Sequence, residues 1–457
     1  MGGTLSGFNT ALSALRYNRV AMDVASGNIA NVGTPGYARR RVEAQSAGAP
    51  VVPALWSRPQ SYGDGVRVSG LTRMTDELVV ARQRTEHGNQ SYLDKTSEIL
   101  ARVEAGIGEP SDSGVAASLA DFRAAWHELS NNPGSPAARS QMAARTASLV
   151  EAVRAQAVQL TSEQGDQRTK LDMTLAEANQ VAADLASTNE LITAGVTAGG
   201  DVSPLLDKRD QLALRLSELT GAKAGLPDEQ GRLDVTLNGV PLVQGSRAGR
   251  LTHDGGSPLT LSVTDGVNPP VAVPTGTRGE LGAIVDALNV TLPGYLGGLN
   301  SFAATLADAV NGQHALGYDA TGAAGGPVFG YTAGDEAASL SLVLTDPARF
   351  AASAVGGGPN LDGGNADLVA ALTTADDAYQ ELVNTFGTQV ASVNRLAANQ
   401  QVLTDQVDSS YDQLAGVNLD EEMANMITAQ RAYEAASKVI TVLDSVLDTL
   451  INRTGTR

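Results

Sequence analysis

Four histidines, His87, His127, His253 and His314, are the chain's only imidazoles, and there is no cysteine. Metal and nucleophilic chemistry therefore have few places to reside. His127-Glu128 opens like a zinc-protease helix, in which histidines four residues apart chelate one ion, but position 131 is Asn, so the second ligand is missing. His127 reads instead as a partly exposed residue of a helical bundle. The glycine-rich stretches 322–326 and 356–364 lack the spacing of a phosphate-binding loop between strand and helix, and read as surface loops. Asp362, Asn365 and Asp367 bring carboxylates and an amide near glycines, without EF-hand spacing or its terminal Glu. No Gly-x-Ser-x-Gly elbow occurs. The expected inventory is thus no catalytic residue, no metal site and no cofactor.

Stepping outward, the strongest pattern lies at the two ends. Leu419, Met426, Tyr433, Ile440 and Leu447 recur every seven residues, and Ala429, Ala436, Leu443 and Leu450 form an adjacent row. The two rows make a narrow seam at the coiled-coil period. Asp420, Glu421, Arg431, Glu434, Lys438, Asp444 and Asp448 hold the other side in water. At the beginning of the chain Phe8, Leu15, Met22 and Ile29 repeat the same interval, with Leu5 and Leu12 beside them. These stripes are too thin to offset the conformational entropy of ordering both ends, so pairing the ends with each other should not suffice. Lateral neighbours of the same kind are needed.

Bulk composition narrows the classes. The chain has 457 residues, enough for two or three domains. Aromatics are only 4%, against 42% hydrophobic residues in all, which disfavours a ring-lined substrate pocket. The net charge is −18, and the longest basic run is Arg39-Arg40-Arg41, which reads as a solvated run. No nucleic-acid partner is expected, because phosphate binding needs a clustered cationic face. No apolar run approaches a membrane span, and the N-terminus lacks the basic and apolar regions of a secretory signal.

Between the ends, residues 38–70 form a Pro- and Gly-punctuated extended segment. Helical stripes follow: Leu93, Leu100, Val103 and Ile107; Leu149, Val153 and Leu160; Leu171 to Ile192; Leu205 to Leu219. They predict an elongated antiparallel bundle. From Gly221 the period changes to two, with Leu233, Val235 and Leu237, an Asn238-Gly239 turn, then Val240 and Leu242, a strong hairpin signal. Leu259 to Val263 and Val271 to Val273 add short strands, and Leu340, Leu342 and Leu344 predict one more. Helical spacing returns at Tyr295 to Leu306, and again through Tyr379, Leu382, Phe386, Val390, Val393, Leu403 and Val407. The expected fold is mainly α with inserted β, elongated and nested. Residues 1–37 and 416–457 make a terminal helical assembly domain; 38–220, 281–313 and 366–415 a helical bundle; 221–280 with 314–365 an outer β-rich domain.

After the first helix comes Asn28-Ile29-Ala30-Asn31-Val32-Gly33-Thr34-Pro35-Gly36-Tyr37, a helix stop followed by a turn. Together with Gly416-Val417-Asn418-Leu419-Asp420-Glu421-Glu422-Met423 and Gln430-Arg431-Ala432-Tyr433, it resembles the paired terminal signatures of bacterial flagellar rod, hook and hook-associated proteins. Gly33 stands where the family more often has Asn. The segments 129–139, 205–212, 238–245 and 307–314 are similar to the FlgK-type hook-associated branch. The resemblance implies a structural, non-enzymatic subunit of the hook–filament junction, exported without a cleaved signal. It implies assembly through Leu5, Phe8, Leu12, Leu15, Met22, Ile29, Leu419, Met426, Tyr433, Ile440, Leu443, Leu447 and Leu450, with Asn31, Thr34, Pro35, Gly36 and Tyr37 as the family turn. Implied partners are like subunits in a ring, hook protein, a FlgL-type junction protein and a FlgN-type chaperone on the C-terminal helix. The alternatives are another axial protein, of FlgL, flagellin or hook type, or a secreted enzyme or adhesin that uses flagellar-type ends.

Overall fold

The computed structural model describes residues 2–47 and 65–449, with side chains from residue 7 onward. The long N-terminal helix α1 (Gly2–Ala30) leads into an antiparallel hairpin of β1 (Arg40–Ser46) and β2 (Val66–Arg73), which lies against α1. The segment read as extended is therefore paired. Few of its side chains are apolar on a consistent face, which is why the period-two signal is weak.

The body begins with α2 (Glu77–Ile107), α3 (Val115–Asn131), α4 (Pro136–Thr197) and α5 (Ser203–Thr220). Asp76 caps α2 by accepting from the Leu78 and Val79 amides, and Ser135 caps α4 just before Pro136. Helix α4 has 62 residues, so it runs about 93 Å at 1.5 Å per residue and forms the spine of the body. Its buried line includes Leu149, Val153, Leu160, Leu171, Leu175, Ala178, Ala182, Leu185 and Ile192. Helices α2 and α5 approach closely at Gly88, where a Cβ would sit 2.9 Å from the Ser217 carbonyl oxygen.

The β-rich insert follows. Strands β3 (Lys223–Ala224), β4 (Val235–Leu237), β5 (Val240–Gln244) and β6 (Arg247–Ala248) form one sheet, and β7 (Arg250–His253), β8 (Leu261–Thr264) and β9 (Val271–Ala272) another. The β4–β5 turn has positive φ at Asn238 and Gly239, 46° and 85°, as a two-residue hairpin requires. Helix α6 (Gly279–Asp286) continues through a π-helical turn, Ala287–Thr291, into α7 (Leu292–His314). Pro293 lacks the amide that an unbroken α-helix would need there. Then come β10 (Phe329–Gly330), α8 (Glu336–Ser339), β11 (Ser341–Leu342), α9 (Gly364–Ala370), α10 (Thr374–Ala415) and α11 (Leu419–Asp448).

Asparagines on the helices anchor the β segments. Each uses its amide as a strand uses its backbone, donating to a carbonyl and accepting from the amide of the same residue. Asn179 does so with Leu251 (2.9 and 2.7 Å), Asn189 with Leu233 (3.0 and 3.1 Å), Asn289 with Leu259 (2.8 and 2.7 Å) and Asn311 with Phe329 (2.9 and 3.0 Å). Short strands thereby gain a partner that a two- or three-residue ladder cannot supply.

Two expectations change. The predicted strand at Leu340 to Leu344 is only two residues long, because 336–339 turn into a helix and Leu340 is used as a core plug. Residues 314–365 also do not join the sheets of 221–280. They pack at the start of α4, where Arg139 donates to the carbonyls of Ala348 and Phe350, whereas β7 meets α4 at Asn179. Forty residues of helix, about 60 Å, lie between. Around that first end Trp126, Phe122, Phe329, Phe350 and His314 form an aromatic cluster with centroid separations of 5.7 to 6.2 Å, edge-on except for the tilted Phe122–Phe329 pair. His314 is fully buried, with its Nδ1 2.7 Å from the Gly326 carbonyl and its Nε2 accepting from the Ala351 amide, and burial lowers its pKa. It is a neutral packing residue.

His87 is the opposite case. On α2 it faces Glu218 of α5 and Asp408 of α10, 2.9 Å from the latter, and its hydrogen bond to Glu218, with those to Asp408, outweighs burial to push its pKa up to about 9. A raised pKa means stability that is full below the unfolded histidine value, about 6.5, and lost as pH rises through about 9. Urea midpoints should therefore fall between pH 7 and 9.5, and His87→Ala should remove most of that slope. An unchanged slope in the variant would show that other groups govern it.

Candidate functional site

The candidate site is the module made by the two ends and its attachment to the body. Helices α1 and α11 pack along their length in antiparallel fashion: the missing Cβ of Gly7 faces Leu443 at 3.4 Å, and Asn28 bonds Glu422 at 2.9 Å. Ala11, Asn18, Ala25 and Asn28 are the buried line of α1; Glu422, Ala429 and Ala436 are that of α11. Small residues on both lines permit close approach. Phe8, Leu12, Leu15, Met22 and Ile29, and opposite them Met426, Ile440, Leu443 and Leu447, are half-buried at the margins of this pair. Leu419 and Tyr433 are instead exposed. The Leu5 side chain and Leu450 lie outside the described residues.

Six apolar side chains of α11, Met423, Ile427, Tyr433, Val439, Val442 and Val446, are between 37% and 59% exposed. The intrachain pairing therefore leaves α11 with uncovered apolar rows. No helix among the described residues is long and apolar enough to cross a membrane.

The turn after α1 folds back onto the start of α11. Asn31 donates from backbone and side chain to Gly27, the Thr34 amide bonds Asn31, and the Tyr37 amide bonds Thr34. Gly36 has φ of +70°, which glycine supplies without strain, and its neighbour Pro35 accepts from the Gln211 side chain of α5. Open space surrounds Gly33, so either Gly or Asn suits that position.

At the centre sits Asn28, fully buried, with every hydrogen-bonding position in use. Its amide nitrogen donates to the Arg40 carbonyl and to Glu422; its oxygen accepts from the Tyr37 hydroxyl and the Arg40 amide, at 2.8 to 3.0 Å. Glu422 also accepts from Arg39 Nε at 2.7 Å, while Arg39 reaches Glu421 at 2.8 Å and donates its amide to Ala415, the last residue of α10. The turn, both terminal helices and α10 are thus tied by one polar knot.

A second layer ties that knot to the body. Arg40 stacks on the Tyr37 ring, 5.0 Å from its centroid, and pairs with Asp207 at 3.2 Å. Asp207 also receives Arg73 at 2.8 Å. Arg73, Arg84 and Arg209 then converge on Asp210 at 2.8, 2.9 and 2.7 Å. Burial by itself would raise the Asp210 carboxyl; the three guanidiniums, Arg209 foremost, outweigh it and hold the pKa below the ordinary carboxylate value. Arg39 and Arg40 are accordingly not a solvated run. Neighbouring acids that sequence spacing does not reveal neutralise them.

Sequence reasoning did not single out Asn28, Glu422, Asp207 or Asp210 as site residues. One signal was present: Glu422 lies on the same seven-residue line as Ala429, Ala436 and Leu443, and a charge on an apolar seam line marks a buried partner. The residues first weighed for chemistry do not converge. His127 is half-exposed beside Asp367; Asn365 is buried against Ala351 and Gln313; Asp362 caps the Ala354 amide.

Residues 100–329 match the family described as flagellar hook-associated protein FlgK helical domain. Residues 8–37 match flagella basal body rod protein, and residues 409–453 match the C-terminal region of flagellar basal body rod FlgEFG proteins. Flagellar hook-associated protein 1 of Bacillus subtilis (strain 168) is 26% identical, with alignment over 100% of this chain and 99% of the relative; that of Escherichia coli (strain K12) is 25% identical over 97% and 99%. The structure of the flagellar hook junction protein FlgK from Burkholderia pseudomallei superposes with a TM-score of 0.64 over 73% of this chain and 99% of that one, at 17% identity, which bears on the fold.

Proposed function

Because the chain belongs to the FlgK family of flagellar hook-associated proteins, and so is a structural protein of the flagellum at the hook–filament junction, we propose that it works purely mechanically, by completing the burial of its terminal helices against neighbouring subunits. The observation that carries this reading is the C-terminal helix α11, whose outer apolar rows stay uncovered in a single copy although α1 packs along it. Like subunits form a ring through these rows, with Leu5 to Ile29 and Leu419 to Leu450 as the assembly residues. Hook protein lies on one side of the ring and a FlgL-type protein on the other. A FlgN-type chaperone covers α11 before flagellar type III export, which an exposed amphipathic helix would otherwise make prone to aggregation. The turn Asn31 to Tyr37 sets the angle at which the terminal pair leaves the body.

The division into a terminal assembly unit, a helical bundle and an outward β-rich insert belongs to the same proposal, and catalysis has no part in it. In a strain lacking this chain, electron microscopy should show hooks without filaments, and the chain supplied in trans should restore them. Filaments of ordinary number on hooks without it would refute the junction role.

A further inference from the structure

Helix α11 buries three residues, Glu422, Ala429 and Ala436, and one of them is charged. Glu422 is 3% exposed, so docking α11 takes a carboxylate out of water. The donors that replace that water both come from the N-terminal end of the chain: Asn28 Nδ2 lies 2.9 Å from one carboxylate oxygen, and Arg39 Nε 2.7 Å from the other. Neither stands ready in an unfolded turn. Asn28 is held by the Tyr37 hydroxyl and by the amide and carbonyl of Arg40, and the Arg39 amide is held on Ala415. Residues 28 and 39 come together only after the segment between them has turned back on itself. The dependence runs one way. With α11 withdrawn, Asn28 loses one of its four hydrogen bonds, and Arg39, whose side chain is 24% exposed, returns to water at little cost. With the turn unformed, a docked Glu422 would be a buried carboxylate without a partner, and the two alanines on its line return little area to offset it.

We infer that Glu422 makes the folding of residues 28–40 a condition for docking α11: the C-terminal helix stays free until the N-terminal turn has formed, and only then closes on α1. An α11 that waits in this way keeps its apolar rows open to another binding partner until the turn is complete. The buried glutamate acts as a gate rather than as a source of stability. An apolar side chain of similar volume in its place would pack as well or better, as replacements of buried ion pairs often do, and would dock without waiting. The inference concerns contacts within one copy and does not depend on the ring of subunits proposed above.

The full chain has no native cysteine, and Gly7 faces Leu443 across the helix pair at 3.4 Å, so Gly7→Cys with Leu443→Cys reports docking as an intrachain disulfide. In this reporter, Asn28→Ala and Arg39→Ala should each slow disulfide formation by about ten-fold or more, the effect of removing one partner from a buried charge. Adding Glu422→Leu to either should bring the rate back to within about two-fold of the unchanged reporter, because no carboxylate then waits for a partner. Circular dichroism checks that the body of each variant folds. A second measurement reads the order of events: Ala436→Asp undocks α11, and hydrogen exchange at Arg40 and along the β1–β2 ladder should stay within about two-fold of the unchanged chain. Rates unmoved by both alanine variants overturn the inference. So does a Glu422→Leu that fails to restore them, which would mean that the turn positions α11 by shape alone. Loss of protection at Arg40 in Ala436→Asp overturns it too, because turn and helix would then fold as one unit. A reporter that forms only interchain disulfides shows that the pair does not close within one copy, and overturns it as well.

Discussion

Asp210→Ala should destabilise the body by about 3–5 kcal/mol, the cost of removing one partner from a buried ionic cluster. The carboxylate is the shared counter-ion of Arg73, Arg84 and Arg209, whose side chains are 6%, 3% and 1% exposed. Without it three guanidiniums keep one buried neighbour fewer, and Asp207, already bonded to Arg73 and Arg40, has no free geometry to compensate. Asp210→Asn should be nearly as damaging, since volume is kept and charge is lost. Denaturant unfolding followed by circular dichroism measures the change, and a loss under about 1 kcal/mol would show that water or rearrangement satisfies the arginines. The sign with pH follows from the depressed carboxyl: the stability it contributes is present above the unfolded aspartate value of about 3.9 and is lost as pH falls through the lower folded value.

Ile440→Asp should abolish incorporation into the flagellum while the body stays folded. Ile440 is half-buried on the side of α11 that faces α1, where a carboxylate would lie among Leu443, Leu447 and the α1 stripe. Burying an unpaired charge there costs several kcal/mol. The contiguous core of the body runs from Ile99 to Phe386 and includes no residue of α1 or α11. Its unfolding transition should therefore be unchanged, and the damage should be confined to the terminal pair. Normal junctions built from the variant would show that an intact α1–α11 seam is not needed for assembly; a collapsed body would show that the terminal pair is part of the core.

The two predictions address different layers of one device. Asp210 anchors the arm to the body through Arg73, beside Asp207, which holds both Arg73 and Arg40, and Asn28 with Glu422 joins the two helices of the arm. Ile440 lies on the arm itself, at the margin of the α1–α11 pair. A rigid attachment matters for a mechanical subunit because the direction of the terminal helices is fixed only if the turn between β1 and α1 cannot rotate.

Periodicity alone determined the long helices, the switch to strands after Gly221, the Asn238-Gly239 turn and the amphipathic character of both ends, because each is set by spacing within a few turns of chain. Composition likewise pointed away from metal and thiol chemistry. What the tertiary structure decided are contacts between residues more than a hundred positions apart: Arg40 with Asp207, Asn28 with Glu422, His87 with Asp408, and the attachment of 314–365 to the start of α4 rather than to the β sheets. No local pattern encodes them. An arginine looks the same in sequence whether water or a distant carboxylate neutralises it, and only the fold brings Asp207 to 3.2 Å from Arg40.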